Sequence, residues 1–438
     1  MSEERVRAAL REIADAAPVH PDVRATMKAA PAEQPSRRSR PWFAPGLAAA
    51  AVILVIVAVI LVRLPSSSPE PPGDGGGPTL PDRFPAFSFL QGASDGRFGR
   101  AIALYTNGTG HEDWGLWQLI LADSDSDRYR RLNVPRNPIG GLVATRLSPD
   151  GKLLAIGGTG ITVLDITTGG TNRFPITASA GAGVVPLAFS PDGTHIAYTT
   201  PLEVGGTGPL SILDIADGAS TPVAGGHIRA AAFSPDGTRL AFQIGYPPAE
   251  EISISRLDGT LAARITIPPK TELAGAQAWS PDGRYLVGMK RDPDRQGDEP
   301  SYVFLDATAA GVAVPAPISA QDLTPRSWGD AVLGWQSPTR MLVSTGDVDG
   351  TTSNLIIAVD VTTGSRQIVS RFAVGAHDDL AVGDVQLATA LLGTARVRHS
   401  THPDRGPWPV WAIGTSAVCV ILFALAAVLW RIRRRRAG

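Results

Sequence analysis

The chain has 438 residues, and its 40 Lys and Arg residues nearly balance its 41 Asp and Glu residues. This neutral total argues against a general nucleic-acid binder, which needs a basic surface to displace counterions. A single cysteine excludes an intrachain disulfide and any metal site built from a cluster of thiolates.

The first 41 residues precede a long apolar run. Within them Val6, Ala9, Leu10 and Ile13 recur at helical spacing, which predicts a short helix in an N-terminal segment, residues 1–41. The layout has a general resemblance to membrane-held anti-sigma proteins, in which such a segment docks a cytoplasmic regulator. The alternative is a solvated tail.

Two uncharged apolar runs, Phe43–Val62 and Val410–Trp430, predict transmembrane helices at 42–63 and 409–430. A helix of about 20 residues is about 30 Å long, the thickness of the hydrocarbon core of a bilayer. The first run is longer than the apolar part of a usual signal peptide, which favours an uncleaved anchor. The lipid bilayer is therefore an expected partner.

Clusters of arginine predict the orientation of the chain in the membrane. Arg37, Arg38 and Arg40 precede the first predicted span, and an Arg-rich tail, residues 431–438, follows the second. The positive-inside rule then places both termini in the cytoplasm and the region between the spans outside it. Arg396, Arg398 and Arg405, on the outer side of the second span, weaken this contrast without reversing it.

The segment 64–82 is predicted to be a linker. Pro65–Pro81 contains six prolines and four glycines in seventeen residues. Such a composition favours a spacer of mixed stiffness over a packed element.

Beyond the linker one phrase, Ser-Pro-Asp-Gly followed by a short apolar run, occurs four times. The four copies are Leu147–Ile156, Phe189–Tyr198, Phe233–Phe242 and Trp279–Gly288. A second phrase, centred on Leu-Asp or Ile-Asp, follows each copy at Val163–Gly169, Ile212–Gly218, Ile254–Gly259 and Val303–Asp306. Eroded copies flank these four, at Ala93–Arg97 with Ala101–Tyr105 and at Trp335–Val343 with Ile357–Gly364.

The repeat has a structural meaning. Proline presets φ for a turn and Asp-Gly reverses the chain, so each phrase joins two short antiparallel strands. A period of 42 to 46 residues between the recurring serines fits one four-stranded blade of a β-propeller. The fold class predicted for residues 83–395 is therefore an all-β propeller.

The Ser-Pro-Asp-Gly phrases resemble the PD40 (WD40-like, TolB-type) family of β-propellers, over about Phe84 to Leu392. The resemblance implies the fold and no particular activity, since related propellers bind proteins, glycans or peptides. Six phrase copies favour six blades, with seven as the alternative. The remainder, Asp379–Leu392, either pairs with a strand at Phe84–Leu90 to complete the ring or belongs to a seventh blade.

The sequence offers no catalytic, cofactor-binding or metal-binding residues. The aspartates of the Ser-Pro-Asp-Gly phrases are interpreted as turn caps because each holds the same place in its repeat. Asp123-Ser-Asp-Ser-Asp127 begins like a calcium loop, but Arg128 and Val134 stand where the loop needs glycine and glutamate. Trp114 and Trp117 are interpreted as packing between blades, with an exposed aromatic patch as the alternative.

These observations predict a non-enzymatic, membrane-anchored propeller outside the cytoplasm, held by two spans and a juxtamembrane stalk, residues 396–408. No cofactor is expected, and the expected partner is an unidentified protein, peptide or envelope polymer, not a nucleic acid. One alternative is an anti-sigma-like signal transducer that senses through the propeller. Another is a hydrolase or lyase with a site in the central channel.

Overall fold

The computed structural model describes residues 76–85, 99–109, 118–132, 144–177, 183–200, 208–245, 250–290, 301–308, 311–320, 332–345, 355–372 and 381–401, and the single residues 419, 422, 426, 430 and 433. The chain divides into two units, Met1–Glu70 and Pro71–Gly438, and every described residue belongs to the second. In the part of the chain that is described, no helix is long and apolar enough to cross a membrane.

The predicted segment 1–41 and the predicted span 42–63 lie outside the described residues. Of the predicted span 409–430, the described residues are Cys419, Leu422, Ala426 and Trp430, and all four are helical.

Short runs of β-branched and aromatic residues between the turn phrases form strands throughout the described residues. In chain order the strands are β1 (Thr79–Pro81), β2 (Arg83–Phe84), β3 (Ala101–Thr109), β4 (Gln118–Asp123), β5 (Tyr129–Leu132), β6 (Thr145–Leu147), β7 (Leu153–Ile156), β8 (Gly160–Asp165), β9 (Thr171–Pro175), β10 (Val185–Phe189), β11 (His195–Thr199), β12 (Leu210–Asp214), β13 (Ser220–Ala224), β14 (Ile228–Phe233), β15 (Arg239–Ile244), β16 (Glu251–Arg256), β17 (Leu261–Thr266), β18 (Thr271–Leu273), β19 (Tyr285–Lys290), β20 (Ser301–Asp306), β21 (Ile318–Ser319), β22 (Val332–Ser337), β23 (Arg340–Thr345), β24 (Leu355–Asp360), β25 (Arg366–Phe372), β26 (Ala381–Leu387) and β27 (Arg396–Arg398). One short helix, α1 (Thr389–Leu392), follows β26.

The strands form six antiparallel sheets, which are the blades of a propeller. From inner to outer strand, blade 1 is β26-β3-β4-β5, blade 2 is β6 to β9, blade 3 is β10 to β13, blade 4 is β14 to β17, blade 5 is β18 to β21, and blade 6 is β22 to β25 with β2 added outside β25. The six-bladed propeller is the fold that the PD40 resemblance implied, and the expectation of six blades is confirmed.

The turn phrases lie where the repeat predicted them. Turns 148–152, 190–194 and 234–238 join the two inner strands of blades 2, 3 and 4. In blade 5 the phrase follows an isolated bridge between Trp279 and Leu286 instead of a full strand. The second phrase ends the third strand of its blade, as at Asp165 on β8 and Asp360 on β24.

Burial of the strands follows from the radial arrangement. All six residues of β4 are buried, whereas the outer strand β17 has none buried. A central strand is apolar on both faces because each face packs against a neighbouring blade. The core therefore lies in the seams between blades, as in the cluster shared by blades 3 and 4 that contains Leu187, Phe233 and Phe242.

Polar side chains also join neighbouring blades. Gln243 of blade 4 donates from Nε2 to the carbonyl of Thr271 (2.8 Å) and accepts at Oε1 from the amide of Leu273 (2.9 Å) in blade 5. Gln386 of blade 1 makes the same pair of bonds to Thr145 (2.8 Å) and Leu147 (2.9 Å) in blade 2. Each glutamine satisfies two backbone groups of an inner strand that has no further strand beside it.

The ring closes through a strand from the C-terminal side of the chain. β26 pairs with β3, so blade 1 combines one strand from the end of the propeller with three from its beginning. The remainder Asp379–Leu392 thus completes the ring, but its expected partner, Phe84–Leu90, was wrong. Phe84 instead extends the outer edge of blade 6, where β2 pairs with β25.

The antiparallel order gives the propeller two different faces. Turns from a first to a second strand and from a third to a fourth lie on one side, which we call the tight-turn face. On the other side, the long-connection face, the strand ends flank residues 133–144, 200–209, 291–300 and 320–331.

Candidate functional site

The segments at the two ends of the propeller meet beside blade 1. β1, at residues 79–81, pairs in parallel with β27, at residues 396–398. Both strands lie against the β4–β5 turn, residues 124–128, on the tight-turn face. The amide of Thr79 in β1 donates to the carbonyl of Ser124 in this turn (2.7 Å), and Arg398 of β27 pairs with Asp127. We call residues 79–82, 396–401 and 123–129 together the clasp.

The backbone of the clasp forms a continuous ladder. The amide of Arg396 donates to the carbonyl of Pro78 (3.0 Å), and the amide of Asp82 donates to the carbonyl of Arg398 (2.8 Å). β1 lies in the segment predicted to be a linker and β27 in the segment predicted to be a stalk. Within the described residues each of these two strands has its β-ladder with the other alone, so neither is expected to form by itself.

Asp127 is the polar centre of the clasp. Its Oδ2 accepts from the amide (2.7 Å) and the hydroxyl (2.9 Å) of Thr401, and its Oδ1 accepts from the Ser400 hydroxyl (3.2 Å). Arg398 Nη2 lies 3.6 Å from Oδ1, and both side chains are largely buried, at 14% and 9% exposure. One carboxylate therefore binds three residues of the C-terminal segment, Arg398, Ser400 and Thr401.

Asp82 completes the clasp from the N-terminal segment. Its Oδ1 accepts from the amide of Ser400 (2.9 Å), and its Oδ2 lies 2.8 Å from Nδ1 of His399. The two carboxylates thus hold Ser400 from opposite sides, through its amide and its hydroxyl. The segments before and after the propeller are joined by side chains as well as by the β1–β27 ladder.

The electrostatics keep both carboxylates ionised. Burial would raise the pKa of Asp127, but hydrogen bonds from Thr401 and the charge of Arg398 outweigh it and lower that pKa. Burial would likewise raise the pKa of Asp82, and the bonds from Ser400 and His399 outweigh it. Burial, with the nearby Asp127 carboxylate, raises the pKa of Tyr129, whose neutral hydroxyl lies 3.3 Å from the Ser400 hydroxyl.

An aromatic cluster continues from the clasp into the seam between blades 6 and 1. Phe84 is fully buried, with ring centroids 5.1 Å from Phe372 and 5.2 Å from Tyr105. The Tyr105 hydroxyl donates to the carbonyl of Pro85 (3.0 Å). The N-terminal segment therefore fills the seam at which the ring closes.

The aspartates of the Ser-Pro-Asp-Gly phrases lie apart, one in each turn. Asp150 Oδ1 accepts from the Ser148 hydroxyl (2.7 Å) and from the amide of Lys152 (3.1 Å), and Gly151 has φ +71°. The same bond from serine to aspartate recurs at Asp192 (2.5 Å) and Asp282 (2.6 Å). This is the turn-capping geometry that the repeat predicted.

The segment Asp123–Asp127, whose sequence begins like a calcium loop, forms part of the clasp. Asp123 accepts from the amide of Asp125 (3.1 Å) and the hydroxyl of Ser126 (2.6 Å), while Asp127 points to the C-terminal segment. Within the described residues no group of three or more His, Cys, Asp or Glu side chains could hold a metal ion. Trp114 and Trp117 lie outside the described residues, so the interpretation of their packing stays a prediction.

The sequence did not reveal the clasp. Nothing in the pattern distinguished Asp82 in a Pro-rich segment, or Ser400 and Thr401 in a predicted stalk, from ordinary polar residues. The alternation of apolar and polar residues at Arg396, Val397 and Arg398 was the available signal for a strand, and three residues are too few to support it.

Comparisons with known proteins concern the fold. No protein-family model matches the sequence, and no curated protein matches it. Similar solved structures include TolB from Acinetobacter baumannii, with 17% identity over 67% of this chain and 68% of that chain and a TM-score of 0.43. A putative TolB from Agrobacterium tumefaciens has 14% identity over 66% of this chain and 99% of that chain, with a TM-score of 0.40.

An oligogalacturonate lyase in complex with manganese is also similar, with 16% identity over 66% of this chain and 78% of that chain and a TM-score of 0.42. At these values the similarity gives this chain neither an activity nor a ligand. The propeller is established by its own strand pairing, described above.

Proposed function

We propose that this protein is a membrane-anchored, extracytoplasmic β-propeller that serves as a non-enzymatic binding or scaffold module of the cell envelope. Its partner would be a protein, a peptide or an envelope polymer that binds the long-connection face. The observation that supports the proposal is the clasp, which joins the two chain segments leading to the predicted spans at one place on the tight-turn face.

The clasp supports a defined orientation. Seven residues, 402–408, separate the clasp from the predicted span 409–430. An extended chain spans at most about 3.3–3.6 Å per residue, so this connection reaches about 25 Å at most. In the proposed arrangement the tight-turn face lies toward the bilayer, and the long-connection face is free to meet a partner.

The chemistry of the tight-turn face fits a structural role. Several of its carboxylates cap turns, as does Asp165, which accepts from the amides of Thr167 and Thr168 and whose pKa is lowered to about 2 by its hydrogen bonds with these residues. A general acid needs a carboxyl group that is protonated near neutral pH, and this hydrogen bonding has the opposite effect. Longer connections, by contrast, are where propellers and other rigid scaffolds place binding residues.

The orientation can be tested by photo-crosslinking in intact cells. Ala216 lies in the β12–β13 turn on the tight-turn face, Gly225 directly follows β13 on the long-connection face, and both are exposed. A photoreactive residue at 225 should cross-link the partner, and one at 216 should not. Equal cross-linking from both positions would contradict the proposed binding face.

The anchoring is tested separately with a reporter fused after Gly438. In spheroplasts, external protease should digest the propeller and leave the reporter intact. A reporter that external protease reaches would overturn the two-span topology.

A further inference from the structure

The outer edge of blade 4 is an exposed strand. None of the six residues of β17 is buried, and four of them are exposed. Within the described residues β17 is the last strand of its sheet. The amide of Ile267, directly after β17, donates to the carbonyl of Glu250 (3.0 Å). Because backbone groups alternate in direction along a strand, the amides and carbonyls of Arg264 and Thr266 point away from the blade.

Other outer edges of the propeller are protected against an added strand. β2 covers part of the edge of β25, and β21 has only two residues. Pro222 interrupts β13 and Pro175 ends β9, and proline has no amide with which to bind a further strand. β17 contains no proline, and its one charged residue, Arg264, is paired with Glu251 (3.7 Å between Nη1 and Oε1). An edge of this kind is a template for pairing with another chain.

A second copy of β17 fits this edge in one antiparallel register. A register centred on Arg264 would place two arginines opposite each other, and like charges directly opposite are destabilising. A register centred on Thr266 would place Arg264 opposite Pro268, which has no amide. A bulge at Ala262 interrupts the start of β17 and excludes registers centred there. The remaining register is centred on Ile265.

The register centred on Ile265 matches the chemistry of both faces of the sheet. Arg264 of each copy lies opposite Thr266 of the other, and each of these pairs exchanges both backbone hydrogen bonds. The two Ile265 side chains lie opposite each other at a site without backbone hydrogen bonds, where side chains approach most closely. Ala263 lies opposite Ile267 of the second copy. Apolar residues therefore meet on the face where Ala263 and Ile265 pack against the core, and polar residues meet on the other face.

We propose that two copies of this protein form a dimer through antiparallel pairing of their β17 strands, centred on Ile265. This inference rests on the proposed membrane anchoring, because a pair of such short strands buries less surface than a stable dimer of free molecules needs. Anchoring both copies in one membrane raises their effective concentration and makes a small interface sufficient.

The twist of the blade makes this dimer compatible with a single membrane. The inner strands of a propeller run along its axis, and each strand is rotated by about 20–25° from its neighbour, so the fourth strand lies about 60–75° from the axis. The twofold axis of the dimer is perpendicular to the sheet at β17, so it lies about 15–30° from the propeller axis. Both copies therefore present the same face to the bilayer.

Single cysteines along β17 test the register in membranes that contain the full chain, with Cys419 replaced by serine. Under mild oxidation Ile265→Cys should give a disulfide-linked dimer in several-fold higher yield than Arg264→Cys or Thr266→Cys, because only residue 265 faces its own counterpart. Thr221→Cys is the matched control, since Thr221, like Ile265, is half-buried on the outer strand of a blade. Equal yields at all four positions would indicate random collision and would overturn the inference.

The variant Thr266→Pro removes an amide that points away from the blade and leaves the pairing with β16 intact. In the Ile265→Cys background it should lower the yield of dimer several-fold without changing the urea midpoint of the propeller. Thr266→Ala keeps the amide and should keep the dimer. A dimer yield that is the same in both variants would contradict pairing through the backbone of β17.

The result also separates the dimer from the proposed function. A full chain that is absent from the membrane fraction would contradict the membrane anchoring itself. A membrane-bound chain whose Ile265→Cys variant gives no dimer, or is linked only to a different protein, would contradict the pairing of two β17 strands alone.

Discussion

Replacing Phe84 by alanine would test whether the segment before the propeller belongs to the closed ring. The Phe84 side chain is fully buried and packs against Phe372 of blade 6 and Tyr105 of blade 1. Removing a buried phenylalanine side chain costs about 3–5 kcal/mol, because apolar contacts are lost and a cavity remains. Phe84→Ala should therefore lower the free energy of unfolding by about this amount.

Two measurements on the full chain in detergent would follow the loss. Urea unfolding monitored by tryptophan fluorescence, to which the buried Trp279 and Trp335 of a different core cluster contribute, reports on the whole propeller. Hydrogen exchange of the Arg371 amide, which donates to the carbonyl of Asp82, reports on local detachment of the N-terminal segment. If the segment detaches first, this amide should exchange at least about 100-fold faster, since 1.4 kcal/mol corresponds to a factor of ten.

Ile368→Ala is the matched control on β25. Ile368 is 47% exposed and precedes Phe372 on the same strand. Its truncation should therefore change the stability by less than about 1 kcal/mol. If Phe84→Ala were as mild as this control by both measurements, the segment would not be part of the ring closure.

Three further predictions concern the clasp and the turns. Asp127→Asn should speed exchange of the Thr401 amide about tenfold or more, since a hydrogen bond to a charged group is worth about 1.5–3 kcal/mol, whereas unchanged exchange would refute its role. The pKa values of Asp82 and Asp127 are lowered in the folded protein, so the stability that these carboxylates contribute is complete above the ordinary pKa of 3.8 and is lost as the pH falls below it. Below that pH, exchange of the Thr401 amide, corrected for its intrinsic rate, should rise in the wild type and should rise less in Asp127→Asn. Gly151→Ala should destabilise the protein much more than Gly193→Ala. Both glycines have positive φ, but a Cβ at 151 would lie 2.0 Å from a backbone oxygen, whereas one at 193 would meet nothing within 4 Å. Equal urea midpoints of the two variants would show that the turn at 151 shifts to make room.

The blades could be predicted from the sequence because each repeat contains a turn phrase that is stabilised by hydrogen bonds within the phrase itself. Ser148, Asp150 and Gly151 form a turn whose bonds are made within five residues, and the same bonds recur in the next two blades. A pattern of this kind depends only on side-chain and backbone groups within the turn, so it is visible without any knowledge of the tertiary structure.

The strand pairing that closes the ring could not be predicted in the same way, because it depends on residues that are far apart in the sequence. β26 could pair with any open edge that presents a suitable register, and the choice of β3 over Phe84–Leu90 depends on contacts between residues more than 270 positions apart. The clasp is equally non-local, since Asp127 and Thr401 meet only after the propeller has formed. Side chains such as Asp82 have no periodic signal, and their partners are specified by the fold and not by spacing.

In the proposed arrangement, with a membrane span before and after the propeller, the clasp would also have a mechanical role. Blade 1 contains both ends of the propeller, so tension on either connecting segment would otherwise act directly on β26 or β3. In the parallel pair β1–β27, the segment before the propeller enters at Thr79 and the segment after it leaves beyond Arg398, at opposite ends of the ladder. A force that pulls the two segments apart along the strands must therefore break the β1–β27 ladder and the hydrogen bonds of Asp127 at the same time. The β26–β3 pairing that closes the ring would then carry no load until the clasp has opened.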